Sequence, residues 1–374
     1  MKQNYWETVR NQIQIKYNEC RDYRGRKGQH ILLFESDDWG SIRMSNRQDW
    51  NELLRKGYPV DKRPYERFDT LESPQDLEYL FEVLSRYKDV QGNHPIITAN
   101  MLMVNPDFER IEKDNFQNYF YEPITNTYCR YWGDARVLDV MKQGMDAGVF
   151  MPQSHGREHF NVTQWMHGLQ AGDEDLITAF KYGMCGIASK RQPEKGNQLM
   201  NALRAANHIE RKEIDIITVE GLSFFKEMWG FLSASFVAPC YCWDKDMELV
   251  LATNGVKLIQ TSRFSKPAYN TKRRYFYTGE RNSQGIIYSV RNCHFEPSTS
   301  QDDSNIDALM LQVDSIFESH RIAVFSTHRI NYVGGIDNNN RASTLRLLDS
   351  FLNRLLEKYP DVIFMSSNQL IRVL

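Results

Sequence analysis

Eight short runs of apolar, mostly β-branched residues recur along the chain, and most are followed by a longer stretch with helical spacing. They are 31–36 (ILLFES), 95–100 (PIITAN), 149–154 (VFMPQS), 232–238 (LSASFVA), 256–261 (VKLIQT), 285–290 (GIIYSV), 322–327 (IAVFST) and 362–366 (VIFMS). Runs this short and continuously apolar suit strands covered on both faces, as in a parallel sheet packed under helices. The helices between them carry their own punctuation. Ser73 stands as an N-cap with Pro74 at the first helical position, ahead of Leu77, Leu80, Phe81 and Leu84 at helical spacing. Residues 136–147 repeat the pattern and stop at Gly148, 307–317 follow, and 344–359 end at Pro360. Seven or eight such units predict an α/β fold, a distorted (β/α)7-8 TIM-like barrel, rather than an open sheet.

A barrel of this kind needs ~250 residues, so the 374 residues are read as one domain, 1–374, with elaborations. The excess is expected in an N-terminal arm and in helical and loop insertions near 101–133, which is aromatic and polar, and near 188–213, which is charged. Forty-six Lys and Arg against 48 Asp and Glu leave a net charge of -2, which argues against a broad nucleic-acid-binding surface. No apolar stretch approaches the ~18 residues of a membrane span. Residues 1–19 lack the apolar core of a signal peptide, so a cytoplasmic location is expected. The six cysteines (Cys20, Cys129, Cys185, Cys240, Cys242, Cys293) form no framework spacing and read as reduced thiols.

Polar residues gather where the apolar runs end. Asp37-Asp38-Trp39-Gly40 follows the first run, His155-Gly156-Arg157-Glu158-His159 the third, Pro239-Cys240-Tyr241-Cys242-Trp243 the fourth and His328-Arg329 the seventh. Parallel barrel strands open all their C-terminal ends onto one face, and that face holds the active site. These groups are therefore predicted to converge. His155 and His159, four residues apart, can face one ion from a helical turn or a tight loop. The same spacing also arises on solvated helices; the acidic pair at another strand end is what favours a metal. A carboxylate from Asp37 or Asp38 would complete a two-His-one-carboxylate site with open positions, leaving the other acid free as a base. An Asp pair before Gly is also a common turn or cap. His328 reads either as a satisfied core histidine or, facing the ion across the mouth, as a general acid.

On these residues the chain resembles the polysaccharide deacetylase family (NodB-homology, carbohydrate esterase 4-like), within the glycoside hydrolase/deacetylase β/α barrels. Phe34-Glu35-Ser36-Asp37-Asp38-Trp39-Gly40 is similar to its first motif, Ser154-His155-Gly156-Arg157-Glu158-His159 to its His-Ser/Thr-x-x-His metal motif, and Ser326-Thr327-His328 to its final Leu-x-His. The resemblance implies Asp37 as catalytic base, Asp38, His155 and His159 as ligands of a divalent metal ion, with zinc expected, and His328 as general acid. Two departures stand out. Gly156 replaces a small hydroxyl residue, and the third motif, Arg-x-Pro-Tyr, is met by Val237-Ala238-Pro239-Cys240-Tyr241, with Val237 in place of Arg. A backbone donor from Cys240 or Tyr241 can still hold an oxyanion. The missing Arg must come from elsewhere, with Arg291 and Arg43 as the two candidates.

The expected chemistry is hydrolysis of an N-acyl or O-acyl group, such as acetyl, on a sugar or glycan precursor. Trp39, Tyr241 and Trp243 are expected to stack on a pyranose ring or to pack at the rim. Pro239 and Cys240 lie in the same substrate-binding stretch, and Arg291 and Glu296 add a substrate contact or a structural ion pair. The alternatives are a metal-dependent amidohydrolase on a non-sugar C–N bond, since fold does not fix substrate, and a degenerate barrel that binds carbohydrate without turnover.

Overall fold

The computed structural model describes residues 2–25, 29–191, 198–300, 303 and 305–374, with residues 2–5 and 198 described by backbone alone. The strands are β1 (His30–Trp39), β2 (Ile97–Leu102), β3 (Val104–Pro106), β4 (Tyr121–Pro123), β5 (Phe150–Gly156), β6 (Ser235–Val237), β7 (Leu258–Thr261), β8 (Ile287–Val290), β9 (Cys293–His294), β10 (Ala323–His328) and β11 (Val362–Phe364). Hydrogen bonding orders the main sheet β8-β7-β6-β5-β2-β1-β10-β9, with β11 paired to the start of β1; β3 and β4 make a separate antiparallel hairpin. Every pairing in the main sheet is parallel.

The sheet curls until its two edges meet along the chain itself. Only Arg291 and Asn292 separate β8 from β9. The Arg291 N–H donates to Thr261 O on β7 (2.9 Å), and the Asn292 N–H donates to Val324 O on β10 (3.0 Å). Taking β8 and β9 as one broken stave, the result is a distorted (β/α)7 barrel.

Burial follows from this closure. β1, β2, β5 and β10 are buried almost throughout, as their continuous apolar runs require. Outside them the helices present one buried face each. Pro74–Ser85 starts with a Ser73–Asp76 capping box and buries Leu77, Leu80, Val83 and Leu84. Ile306–Glu318 buries Leu309, Met310, Val313, Ile316 and Phe317, and Asn338–Lys358 buries Leu348, Phe351, Leu352 and Leu355. A side chain of this size contributes about 1.5–3 kcal/mol when fully buried. These rows are what hold the wall upright.

The stretch near 101–133 holds the β3–β4 hairpin and the helices Phe108–Lys113 and Ile124–Trp132. The stretch near 188–213 needs correction. Residues 192–197 lie outside the described residues, and from His208 onward the charged sequence belongs to a 22-residue barrel helix, His208–Trp229. Asn207 caps it by accepting from the Ile209 and Glu210 N–H groups, and its buried stripe includes Ile214, Thr218, Gly221 and Leu222. A Cβ on Gly221 would stand 2.7 Å from the Arg157 backbone nitrogen, so this helix seats directly on the segment that joins His155, at the end of β5, to His159. The N-terminal helix, Lys2–Arg21, is anchored just beyond its end, where Asp22 accepts two hydrogen bonds of 2.7 Å from Arg263. No helix among the described residues is long and apolar enough to cross a membrane.

Candidate active site

β1 and β10 lie side by side in parallel register, and Asp37 is the Cα partner of His328. The ladder therefore sets two chemically opposite groups next to each other at the C-terminal rim. Immediately after Asp37 the backbone departs from strand geometry. Asp38 has φ 76, a left-handed conformation that costs a non-glycine residue about 1–2 kcal/mol. Gly40 has φ 85, and a Cβ there would meet Leu102 O at 2.6 Å. The tight turn swings the Asp38 carboxylate away from Asp37, so two adjacent acids face different partners.

Asp38 turns toward His155 and His159. Its Oδ1 lies 3.7 Å from His155 Nε2 and 3.2 Å from His159 Nε2. Ligand atoms of the three residues lie within 4.8 Å of one another. Neither Asp38 Oδ1 nor His155 Nε2 has a hydrogen-bond partner among the described residues, although both are buried. A buried carboxylate oxygen and an imidazole nitrogen left unpaired at this range carry a large desolvation cost. A cation among them satisfies both, so the donor set fits a divalent ion. The imidazole orientation is fixed from behind, where His155 Nδ1 sits 2.9 Å from Val237 O and so presents Nε2 forward. Burial lowers the His159 pKa to about 3, with the nearby Arg43 and His155 acting the same way against the pull of Asp38, so the ring is neutral and able to ligate. Arg43 Nη2 donates to Asp38 Oδ2 at 3.1 Å. Burial raises the Asp38 pKa, yet the charge of Arg43 holds it well below the usual range.

Asp37 has a different set of partners. Arg291 grips it with two parallel hydrogen bonds, Nη1 to Oδ2 and Nη2 to Oδ1, both 2.7 Å. Asn100 Nδ2 adds a third, to Oδ1 at 2.7 Å. Arg291 also donates through Nε to Glu35 (2.8 Å) and through Nη2 to Gln260 (2.9 Å). Burial raises the Asp37 pKa, but the charge and hydrogen bonds of Arg291 overcome that and bring it to about 2. Of the two Arg residues named above, Arg291 takes Asp37 and Arg43 takes Asp38. Both hold site carboxylates.

His328 faces Asp37 at 3.9 Å (Nε2 to Oδ2), and its Nδ1 lies 2.5 Å from Glu296 Oε1. Burial lowers its pKa, while the Glu296 charge and hydrogen bond, with Asp37 and Asp38, raise it to about 9. Glu296 is itself fixed by Asn331 Nδ2 at 2.8 Å. So Glu296 sits behind the histidine.

Two expected rim aromatics are core residues. Trp39 is fully buried, donates through Nε1 to Ser36 Oγ (2.9 Å) and stacks on Tyr332 at 6.3 Å. Trp243 is 1 % exposed, stacks on Phe276 at 5.5 Å and donates to Glu248. Neither presents a face to a sugar, because both rings are needed to fill the wall behind the mouth. Pro239 is buried in the same turn. Tyr241 and Cys240 do line the cavity, with Tyr241 Oη 3.0 Å from Arg291 Nη1. Consecutive left-handed residues, Cys240 (φ 56) and Tyr241 (φ 54), make the turn here. The Tyr241 and Cys242 amides are spent on its bonds to Ala238 O and Pro239 O, which leaves the Cys240 amide as the donor the turn does not use.

Asp37, Asp38, His155, His159 and His328 open on one cavity of about 490 Å³. Its wall also includes Tyr65, whose ring meets His328 edge-on at 5.8 Å. Tyr65, Asn100 and Gln260 carried no sequence signal, lying in a short helix or within apolar strands.

No protein-family model matches the sequence, and no curated protein does. Solved structures with a similar course include a "probable polysaccharide deacetylase" of Pseudomonas aeruginosa PAO1 (9% identity, TM-score 0.47, covering 92% of this chain and 90% of that one). Others are Puue allantoinase (10%, TM-score 0.46, covering 94% and 91%) and a carbohydrate esterase 4 family pseudoenzyme from Bacillus anthracis (9%, TM-score 0.39, covering 93% and 68%).

Proposed function

We propose that this chain is a metal-dependent deacylase, hydrolysing an N-acyl or O-acyl group on a sugar or glycan precursor. The observation that carries this reading is the buried Asp38–His155–His159 set, with Asp38 Oδ1 and His155 Nε2 unpaired among the described residues and with Asp37 and His328 side by side next to it. The ion that this set would hold, zinc by preference for two imidazoles and a carboxylate, supplies Lewis acidity to the acyl carbonyl and to the attacking water. Asp37 accepts a proton from that water. Its Oδ2 accepts only from Arg291 among the described residues, so a lone pair stays available. The Cys240 N–H would donate a hydrogen bond to the carbonyl oxygen as negative charge develops on it. His328, charged because of Glu296, gives its proton to the leaving nitrogen or oxygen as its bond to the acyl carbon breaks. The products are a carboxylic acid and a free amine or alcohol.

The test joins metal analysis to product release. Purified protein should carry about one divalent ion per chain and release acid from acylated amino sugars. Asp38→Asn and His155→Ala should lose both ion and activity. Protein without metal, whose turnover neither substitution changes, would overturn the proposal.

A further inference from the structure

The cavity has two unlike walls. One comes from the short helix Pro64–Phe68 and the residue before it, and offers Arg63, Tyr65 and Glu66. The other is built from Ile42, Met44, Met184, Cys185 and Met200, of which the first four are buried. The walls meet at Arg43, whose guanidinium lies 5.6 Å from the centre of the Tyr65 ring and 2.6 Å from the Met200 sulfur. Tyr65 lies against His328. Met200 lies against the turn after β6, where its carbonyl accepts from Cys240 Sγ at 3.5 Å. Ile42, Cys185 and Met200 also adjoin His159 in a smaller neighbouring cleft.

An acyl carbon undergoing hydrolysis carries three directions. The leaving atom must lie beside His328 to receive its proton, which directs the rest of the leaving group along the polar wall. The carbonyl oxygen must lie toward the Cys240 amide and the Asp38–His155–His159 set. The remaining substituent, the acyl chain, then turns away from His328 onto the methionine wall. An acetyl methyl would leave that wall bare, and methionine is the side chain that best adapts to irregular apolar partners.

Resting on the deacylase reading, we infer that the acyl group removed is longer than acetyl, an aliphatic chain of several carbons packed on Ile42, Met44, Met184 and Met200. The polar leaving group sits against Arg63, Tyr65 and Glu66.

Binding of product acids tests this apart from turnover. Titration calorimetry with acetate, butyrate, hexanoate and octanoate, on zinc-loaded protein, should show affinity rising about fourfold per added methylene until the wall is filled. In Met200→Trp the rise should stop at a shorter chain, and in Met200→Ala it should extend to a longer one. Affinity independent of chain length, or a profile that neither substitution moves, overturns the inference. Hydrolysis of matched acetyl, butyryl, hexanoyl and octanoyl glucosamines separates the two ideas. Turnover confined to the acetyl compound overturns the inference and leaves the deacylase reading standing. No turnover together with a chain-length-dependent affinity overturns that reading and keeps the acyl pocket.

Discussion

Two buried arginines near the mouth each hold two carboxylates, and the aspartate of each pair behaves in the opposite way to the other. Arg291 grips Asp37 at 2.7 Å and Glu35 at 2.8 Å. Arg329 grips Asp69 at 3.1 Å and Glu72 at 2.8 Å. Burial raises the pKa of both aspartates. At Asp37 the Arg291 charge and hydrogen bonds win, and the group falls to about 2. At Asp69 the Arg329 charge is opposed by nearby Asp38, and the group stays up at about 6. A third donor, Asn100, reaches Asp37 but not Asp69. The same ionic parts thus give a carboxylate that stays charged where the cavity opens, and one that accepts a proton where it is sealed. Donor count and the sign of the next charge decide the outcome, not the presence of an arginine.

The largest expected effect is on Arg291. Arg291→Met leaves Asp37 and Glu35 buried without a counter-charge and should cost about 3–5 kcal/mol in denaturant unfolding, with activity lost as well. Arg329→Met should cost a similar amount in stability yet retain turnover per folded molecule. An equal loss of kcat in both variants would erase the distinction between the two centres. Next, Asp37→Asn should lower kcat by ~10²–10⁴-fold while metal content stays unchanged, since this acid is read as base and not ligand. Loss of the ion in that variant would reverse the assignment of the two adjacent acids.

The pH dependence is smaller and has a defined sign. Asp37 is depressed, so its contribution to stability is present above its unfolded value and is lost as pH falls toward about 2. Asp69 is raised, so its contribution is present below its unfolded value and is lost as pH rises through about 6. His328 is raised, so activity that needs its proton should fall above about 9, or sooner once a bound ion offsets the Asp38 charge. Glu296→Gln should move that alkaline limb to lower pH in a pH–rate profile. Smallest is Cys240→Ala, expected within a few-fold of the parent kcat because only the backbone N–H is invoked. Cys240→Val, a β-branched residue at φ 56, should cost more in melting temperature.

Much of the barrel was legible because its strands are buried on both faces and so write themselves as apolar runs. All eight runs contain a strand, although 232–238 shortens to Ser235–Val237. The two-residue β9 and the three-residue β3 and β4 are too short to leave a pattern. At the site, residues at strand ends were readable from position alone: Asp37, Asp38, His155, His159 and His328 do gather at one mouth. What holds them was not. Arg291 reaches Asp37 across 254 positions of chain, and Arg43 reaches Asp38 across five; nothing local distinguishes the two arginines. The tryptophans misled for a related reason. Position at a strand end says that a residue is near the rim, not which way its ring turns, and the left-handed Asp38 is followed by a Trp39 that packs in the core.

The seam of the barrel gives Arg291 a second significance. It is one of the two residues that cross between β8 and β9, so the side chain clamping Asp37 hangs from the covalent stitch that joins the sheet's two edges. Transient fraying of that stitch would release the base's clamp without unfolding the rest of the wall. Amide exchange at Arg291 and Asn292 should therefore track inactivation on heating. A circular permutant opened there would keep its staves and lose its catalyst.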